Sequence, residues 1–196
     1  MDHMLTFAPL DVDEHRDFLF AAHRETSRLT FGTEFTDEQI EREIEKERGV
    51  STGAFLDGKI VGICDLETRE IGGAEAGWVH FFYLTPELRG RGFGAQLVRY
   101  AGEYCRKNGL DKLYLRVGAP NTDAYWFYER CGFVRAPELD RVGADSVKPR
   151  RPIVEEDGSH TSSSLLFSAD QSVGPMSGMR TGDAGEYGFV KSINQE

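Results

Sequence analysis

The sequence predicts an α/β domain, a mixed and mostly antiparallel sheet of six to seven strands flanked by about four helices. Three observations carry that expectation. Asp57-Gly58 between two apolar runs is a two-residue hairpin signal. Trp78-Val79-His80-Phe81-Phe82-Tyr83-Leu84 is a bulky, nearly continuous run that suits a strand covered on both faces, and it feeds a glycine-rich turn and a helical pattern. Beyond that turn, strand and helix patterns alternate as far as Ala136.

Taken in order, Val12, Phe18, Leu19, Ala22 and Leu29 recur at roughly helical spacing and predict a first helix within Asp11 to Leu29. Thr36 followed three residues later by Gln39 has capping-box form, and Ile40 and Ile44 then sit four apart, so a second helix runs toward Gly49. Val50 to Leu56 and Lys59 to Glu67 are the hairpin strands, and Gly72-Gly73 marks the turn into the aromatic strand. Leu97, Val98, Ala101, Tyr104 and Cys105 carry a helix that stops at Asn108-Gly109. Lys112 to Val117 is a strand, Asn121 to Cys131 a short helix closed by Gly132, and Phe133 to Ala136 another strand.

Past Pro137 the pattern thins. Residues Glu138 to His160 are charged and turn-rich, either a cover for a binding site or a surface insertion, and Ser163 to Ser168 is a candidate last strand. Residues 169–196 hold five glycines and few apolar residues, which predicts a flexible or partner-ordered tail. Within it, Tyr187, Phe189, Lys191 and Ile193 alternate weakly, enough for an added edge strand or a self-association segment. Met1-Asp2-His3-Met4 reads as a cloning remnant. The expected organisation is a remnant at 1–4, one domain over 5–168 and a glycine-rich tail over 169–196.

Composition narrows the function. With 196 residues the chain suits one domain, and 33 acidic against 23 basic residues give a net charge of -10. A nucleic-acid surface needs clustered Lys and Arg, so no nucleic-acid partner is expected, and a cationic small molecule is favoured. No apolar run approaches the roughly 18 residues of a membrane helix, and no basic-then-apolar leader is present. These point to a cytoplasmic protein with no membrane partner. Cys64, Cys105 and Cys131 are scattered without metal-ligand spacing, so neither a disulfide framework nor a metal site is indicated.

Chemistry concentrates between Leu84 and Leu97. A strand running through a glycine-rich turn into a helix aims backbone N–H groups and a helix dipole at one point, and phosphate is the natural occupant. Tight packing alone is the other reason for such glycines. A P-loop would end Gly-Lys-Ser/Thr where this turn ends Gly94-Ala95-Gln96. A dinucleotide fingerprint needs two residues between its second and third glycines and a later acid, whereas only Phe93 separates Gly92 from Gly94 and the next strand offers Arg116.

Arg89-x-x-Gly92-x-Gly94 resembles the Arg/Gln-x-x-Gly-x-Gly/Ala signature of the GNAT acetyltransferase superfamily, and Phe82 to Glu87 resembles the strand that precedes it. Asn121, Ala124, Phe127-Tyr128 and Gly132-Phe133 resemble that family's second motif, Asn-x-x-Ala followed by Phe-Tyr-x-x-x-Gly-Phe. The resemblance covers Val50 to Ala136 well, the first helices loosely and the tail not at all. It implies a sheet splayed in the middle, acetyl-CoA as acyl donor, no metal, and a small-molecule amine as acceptor, with a homodimer compatible. Arg89, Gly90, Arg91, Gly92, Phe93, Gly94 and Ala95 would cradle the pyrophosphate, with both arginines neutralising charge. Phe82, Tyr83 and Leu84 would meet the pantetheine arm, and a backbone N–H near Leu84 would stabilise an oxyanion.

Tyr128 stands where such enzymes place a general acid, or is a core ring. Asn121 either bonds the pantetheine arm or caps its helix. The strand glutamate that many relatives use as base is replaced by Trp78, leaving Glu75, His80, Glu67 or an ordered water. The acceptor pocket is expected over Arg24 to Phe35, with Phe31, Glu34 and Phe35 forming an aromatic, cation-accepting wall. A protein or peptide N-acetyltransferase and a non-catalytic acyl-CoA sensor stay open as alternatives.

Overall fold

The computed structural model describes residues 4–140, the backbone of 167–168, and 185–193. Its elements in chain order are β1 (Thr6–Pro9), α1 (Arg16–Phe31), α2 (Asp37–Glu47), β2 (Thr52–Leu56), β3 (Lys59–Ile71), β4 (Ala74–Leu84), α3 (Phe93–Lys107), β5 (Lys112–Gly118), α4 (Thr122–Arg130), β6 (Val134–Arg135), β7 (Phe167–Ser168) and β8 (Glu186–Ser192). The expected α/β architecture stands. The sheet runs β1-β2-β3-β4-β5-β8-β6, with β7 off that path on β4. Every pairing is antiparallel except β4 with β5.

Local sequence signals account for most boundaries. Asp57 and Gly58 both take positive φ, 50° and 77°, which is what a two-residue turn matched to the strand twist requires. The capping box at α2 is complete, with Thr36 and Gln39 each accepting from the other's backbone N–H. β1 had no sequence signal of its own, because four residues ending in proline show no period; it is held as an edge strand by pairing from Thr6↔Phe55 to Pro9↔Thr52. The first helix begins later than Asp11, at Arg16, and ends on left-handed Gly32.

Each face of the sheet packs its own pair of helices. On one, Val79, Phe82 and Leu84 join Phe93, Leu97 and Ala101 of α3 and Ala124, Phe127 and Tyr128 of α4. On the other, Phe81 and Tyr83 join Leu19 and Ala22 of α1 and Ile40 and Ile44 of α2. Val79 and Phe81 would share a face in a regular strand. They do not, because β3 pairs Asp65 with Phe81 but Leu66 with Val79, so His80 is an extra residue in a β-bulge.

The bulge lies where the sheet opens. β4 and β5 pair only at Gly77↔Leu113 and Trp78↔Tyr114 and then diverge, which gives the expected splay. β7 pairs with β4 inside the gap, at Phe81↔Ser168 and Phe82↔Phe167.

The predicted tail boundary requires correction. Residues 186–192 do not trail off from a domain ending at 168, nor do they form an edge strand: β8 lies between β5 and β6 and pairs along the whole of β5, from Lys112↔Ser192 to Gly118↔Glu186. Tyr187 and Phe189 are buried in the core shared with α4, so this segment is not exposed for self-association. The expectations for 141–160 and 169–184 lie outside the described residues. Among the described residues, no helix is long and apolar enough to cross a membrane, and no cluster of three or more metal-ligating side chains occurs.

Candidate active site

The turn after β4 is built by one buried arginine and three glycines with different tasks. Arg89 faces inward. Its Nε donates to the Leu84 carbonyl at 2.7 Å, its two terminal nitrogens pair with Glu25 of α1 at 2.9 and 3.2 Å, and its guanidinium lies over the Tyr83 ring. Tyr83 donates its hydroxyl to the same Glu25, and burial together with that carboxylate raises its pKa. Arg89 therefore fixes the strand end to α1 instead of offering charge to a phosphate, which corrects the expected role. Tyr83 turns its ring toward α1 and α2, away from the cleft expected for pantetheine.

Gly90 and Gly92 have φ of 71° and 86° and open space beyond the position a Cβ would take. Side chains are excluded there by backbone conformation. At Gly94 the constraint is space instead, since a Cβ would sit 3.0 Å from the Phe127 ring, which would have to give way. The α3 start has no side-chain cap and no acidic residue in its first turn, so the N–H groups of Phe93, Gly94 and Ala95 lack helical acceptors. Exposed Arg91, over the Phe93 ring, is the cation that borders this cradle.

The β4 edge supplies a second row of donors. Thr85 N–H donates to the Val61 carbonyl; by the alternation of an antiparallel ladder, the amides of Leu84 and Phe82 then face the β5 side. Arg89 occupies the Leu84 carbonyl, leaving its N–H directed into the splay, and β7 is on the edge at Phe82.

Two further predicted residues sit behind that edge. Tyr128 is packed among Phe127, Phe133 and Phe189 and is 1% exposed. Burial, helped by Cys131 and Cys64, pushes its hydroxyl well above the ordinary phenol range. Asn121 caps α4, its Oδ1 accepting from Ala124 N–H at 3.2 Å.

The base candidates separate clearly. Glu75 is exposed next to the Gly72-Gly73 turn, nine residues before Leu84 and so about 30 Å away along the strand. Glu75 thus lies at the far end of β4 from the glycine-rich turn and outside the cavity lining that includes His80. Trp78, at the strand position expected for a glutamate, is buried against the guanidiniums of Arg69 and Arg116. His80 is half-buried on the bulge and lines a cavity of about 550 Å³ that also includes Glu67. Glu67 is ion-paired with Arg69.

That cavity is the feature the sequence reading missed. Its wall includes His23 of α1, Glu43 and Glu47 of α2, and Asp65 of β3. His23 stacks on Phe81 with ring centroids 4.9 Å apart, and its Nε2 is 2.8 Å from Glu47 Oε1. Asp65 accepts from Ser51 Oγ and Thr52 N–H, yet burial, with the nearby Glu47 charge, pushes its carboxyl well above the ordinary range. The expected aromatic wall is elsewhere: Phe31 and Phe35 stack on each other, Phe35 is buried, and Glu34 pairs with Arg28. A signal did exist. Glu43 and Glu47 share the helical face of Ile40 and Ile44, and His23 shares that of Leu19 and Ala22.

The sequence profile of the acetyltransferase (GNAT) family matches residues 16–133. The chain belongs to that family. An uncharacterized N-acetyltransferase of Methanocaldococcus jannaschii is 41% identical over 71 residues, a stretch that spans 36% of this chain but only 29% of that relative. Among solved GNAT-type structures, the PaiA N-acetyltransferase of Thermoplasma acidophilum in complex with coenzyme A superposes with a TM-score of 0.55 at 18% identity, over 96% of this chain and 98% of its own. A GNAT acetyltransferase of Bacillus anthracis gives 0.60 at 12% identity, over 97% and 95%. At such identities the likeness is one of fold. In GNAT terms, the matched span includes the turn, the splay, the bulge and the capped α4, and stops before β8.

Proposed function

We propose that this chain is an acetyl-CoA-dependent N-acetyltransferase whose acceptor is the primary amine of a small molecule. The observation that carries it is a juxtaposition: an uncapped helix start able to hold pyrophosphate, a splayed strand edge beside it, and a carboxylate-lined cavity reaching the bulge of the same strand.

In this reading the backbone of Gly90 to Ala95 holds the pyrophosphate, with Arg91 beside it. The pantetheine arm runs along β4, at Leu84 directly and at Phe82 in exchange with β7. Asn121, by capping α4, positions Tyr128 and does not itself touch the arm. His80 takes the proton from the incoming amine, whose nitrogen attacks the thioester carbonyl carbon. A backbone N–H of the open β4 edge, at Phe82 or Leu84, stabilises the oxyanion of the tetrahedral intermediate, and an ordered water links the amine to His80 where the ring does not reach it directly. As the carbon–sulfur bond breaks, Tyr128, kept protonated by its burial, donates to the leaving thiolate and is recharged from solvent. The products are the amide and free coenzyme A.

Thiol release from acetyl-CoA with a panel of primary amines tests the reading directly, and silence across the panel ends it. Replacing His80→Gln should lower kcat/KM about a hundredfold. Tyr128→Phe removes one oxygen from a packed ring. A purely structural tyrosine would leave kcat alone, whereas the acid role predicts a drop on the order of a hundredfold in kcat without a change in amine KM.

A further inference from the structure

The cavity holds carboxylates that a single reacting amine does not use. Of the four that line it, Glu43 is paired with Lys46 at 2.7 Å and Glu67 with Arg69, which leaves Glu47 and Asp65. Glu47 is 6% exposed; His23 takes its Oε1, and its Oε2 is buried without a hydrogen-bond partner. A buried carboxylate oxygen left unpaired beside a cavity is an incomplete site, and the natural complement is a cation bearing several N–H donors.

That complement cannot be the nucleophile, which must be neutral when it attacks and must lie at the splay near His80. Phe81 links the two places. It follows His80 in the chain, pairs with Asp65 across the ladder, and carries the His23 ring that pairs with Glu47. The cavity wall also includes Leu66 and Tyr104, which suits a methylene chain.

We propose that the acceptor is a short linear diamine, with one ammonium held at Glu47 and Asp65 while the other end, deprotonated at His80, is acetylated. This rests on the N-acetyltransferase reading above. Its mono-acetylated product keeps one cationic end, so release is driven by loss of the reacting end's fit and not by loss of charge.

The test compares putrescine with n-pentylamine, a chain of similar length with a methyl group in place of the second amine, by thiol release from acetyl-CoA. The expected result is a kcat/KM for putrescine at least tenfold higher, expressed mainly in KM. Glu47→Gln should bring the ratio toward one. Calorimetric titration of both amines into the wild-type protein gives a readout independent of any variant's folding, with putrescine binding more tightly. Equal kcat/KM and equal affinity for the two amines overturn the diamine assignment while leaving acetyl transfer standing. Failure of both amines to release thiol, with acetyl-CoA bound, also overturns the diamine assignment, and silence across the whole panel of primary amines overturns the reading beneath it.

Discussion

The starts of α2 and α3 face the same problem and solve it differently. Each helix opens with backbone N–H groups that have no acceptor within the helix. At α2, Thr36 and Gln39 satisfy one another's backbone reciprocally, and Asp37 and Glu38 set negative charge against the dipole. At α3, glycine stands at the cap, with neither side-chain acceptor nor acid in the first turn. A helix start closed by its own side chains serves the fold. One kept open, by residues that cannot close it, leaves donors and a positive dipole end of the kind that can bind an anion.

The largest test of this contrast is Gly92→Val. Nothing crowds a side chain there, so the strain is that of the left-handed backbone, about 1–2 kcal/mol. Acetyl-CoA affinity by calorimetry should nevertheless fall on the order of a hundredfold as the cradle closes; retained affinity in a folded variant would break the comparison. Next in size, Ala95→Glu places at the start of α3 the acid that α2 already owns. It should raise thermal stability by about 0.5 kcal/mol while weakening acetyl-CoA binding roughly tenfold, opposite signs that a purely structural helix start would not produce. Thr36→Ala is the mirror experiment, expected to cost about 1 kcal/mol in denaturant unfolding with the acetyl-CoA KM unmoved. The smallest effect is expected from Phe167→Pro. It removes a backbone donor from β7 on the β4 edge, and the acetyl-CoA KM should drop a few-fold if pantetheine takes that edge.

Features set by neighbours in the chain were legible in advance. The Asp57-Gly58 turn, the Thr36 capping box and the Gly92 start of α3 each depend on a few consecutive residues, and each is where the sequence placed it. Features set by distant partners were not. Arg89 looks like a phosphate ligand until Glu25, 64 residues away, takes its guanidinium. The bulge at His80 cannot be read from β4, because a register is a property of two strands. The acidic cavity lay in between: the helical phase of Glu43 and Glu47 was visible, but only their meeting with His23 and Asp65 gives it meaning. The weak alternation of residues 186–192 understated a strand that long-range pairing makes central.

The position of β8 has a consequence for how the molecule is made. During synthesis β6 emerges long before the strand that lies between it and β5. Until residue 192 has left the ribosome, the nascent chain presents the bare edge of β5 and an unplaced β6, with the aromatic face of α4 lacking Tyr187 and Phe189. Such an edge invites wrong partners. The chain thus carries an exposed strand edge until late, and a release that stops short of β8 would leave the motifs of the turn and of α4 present in a sheet without the strand that joins β5 to β6.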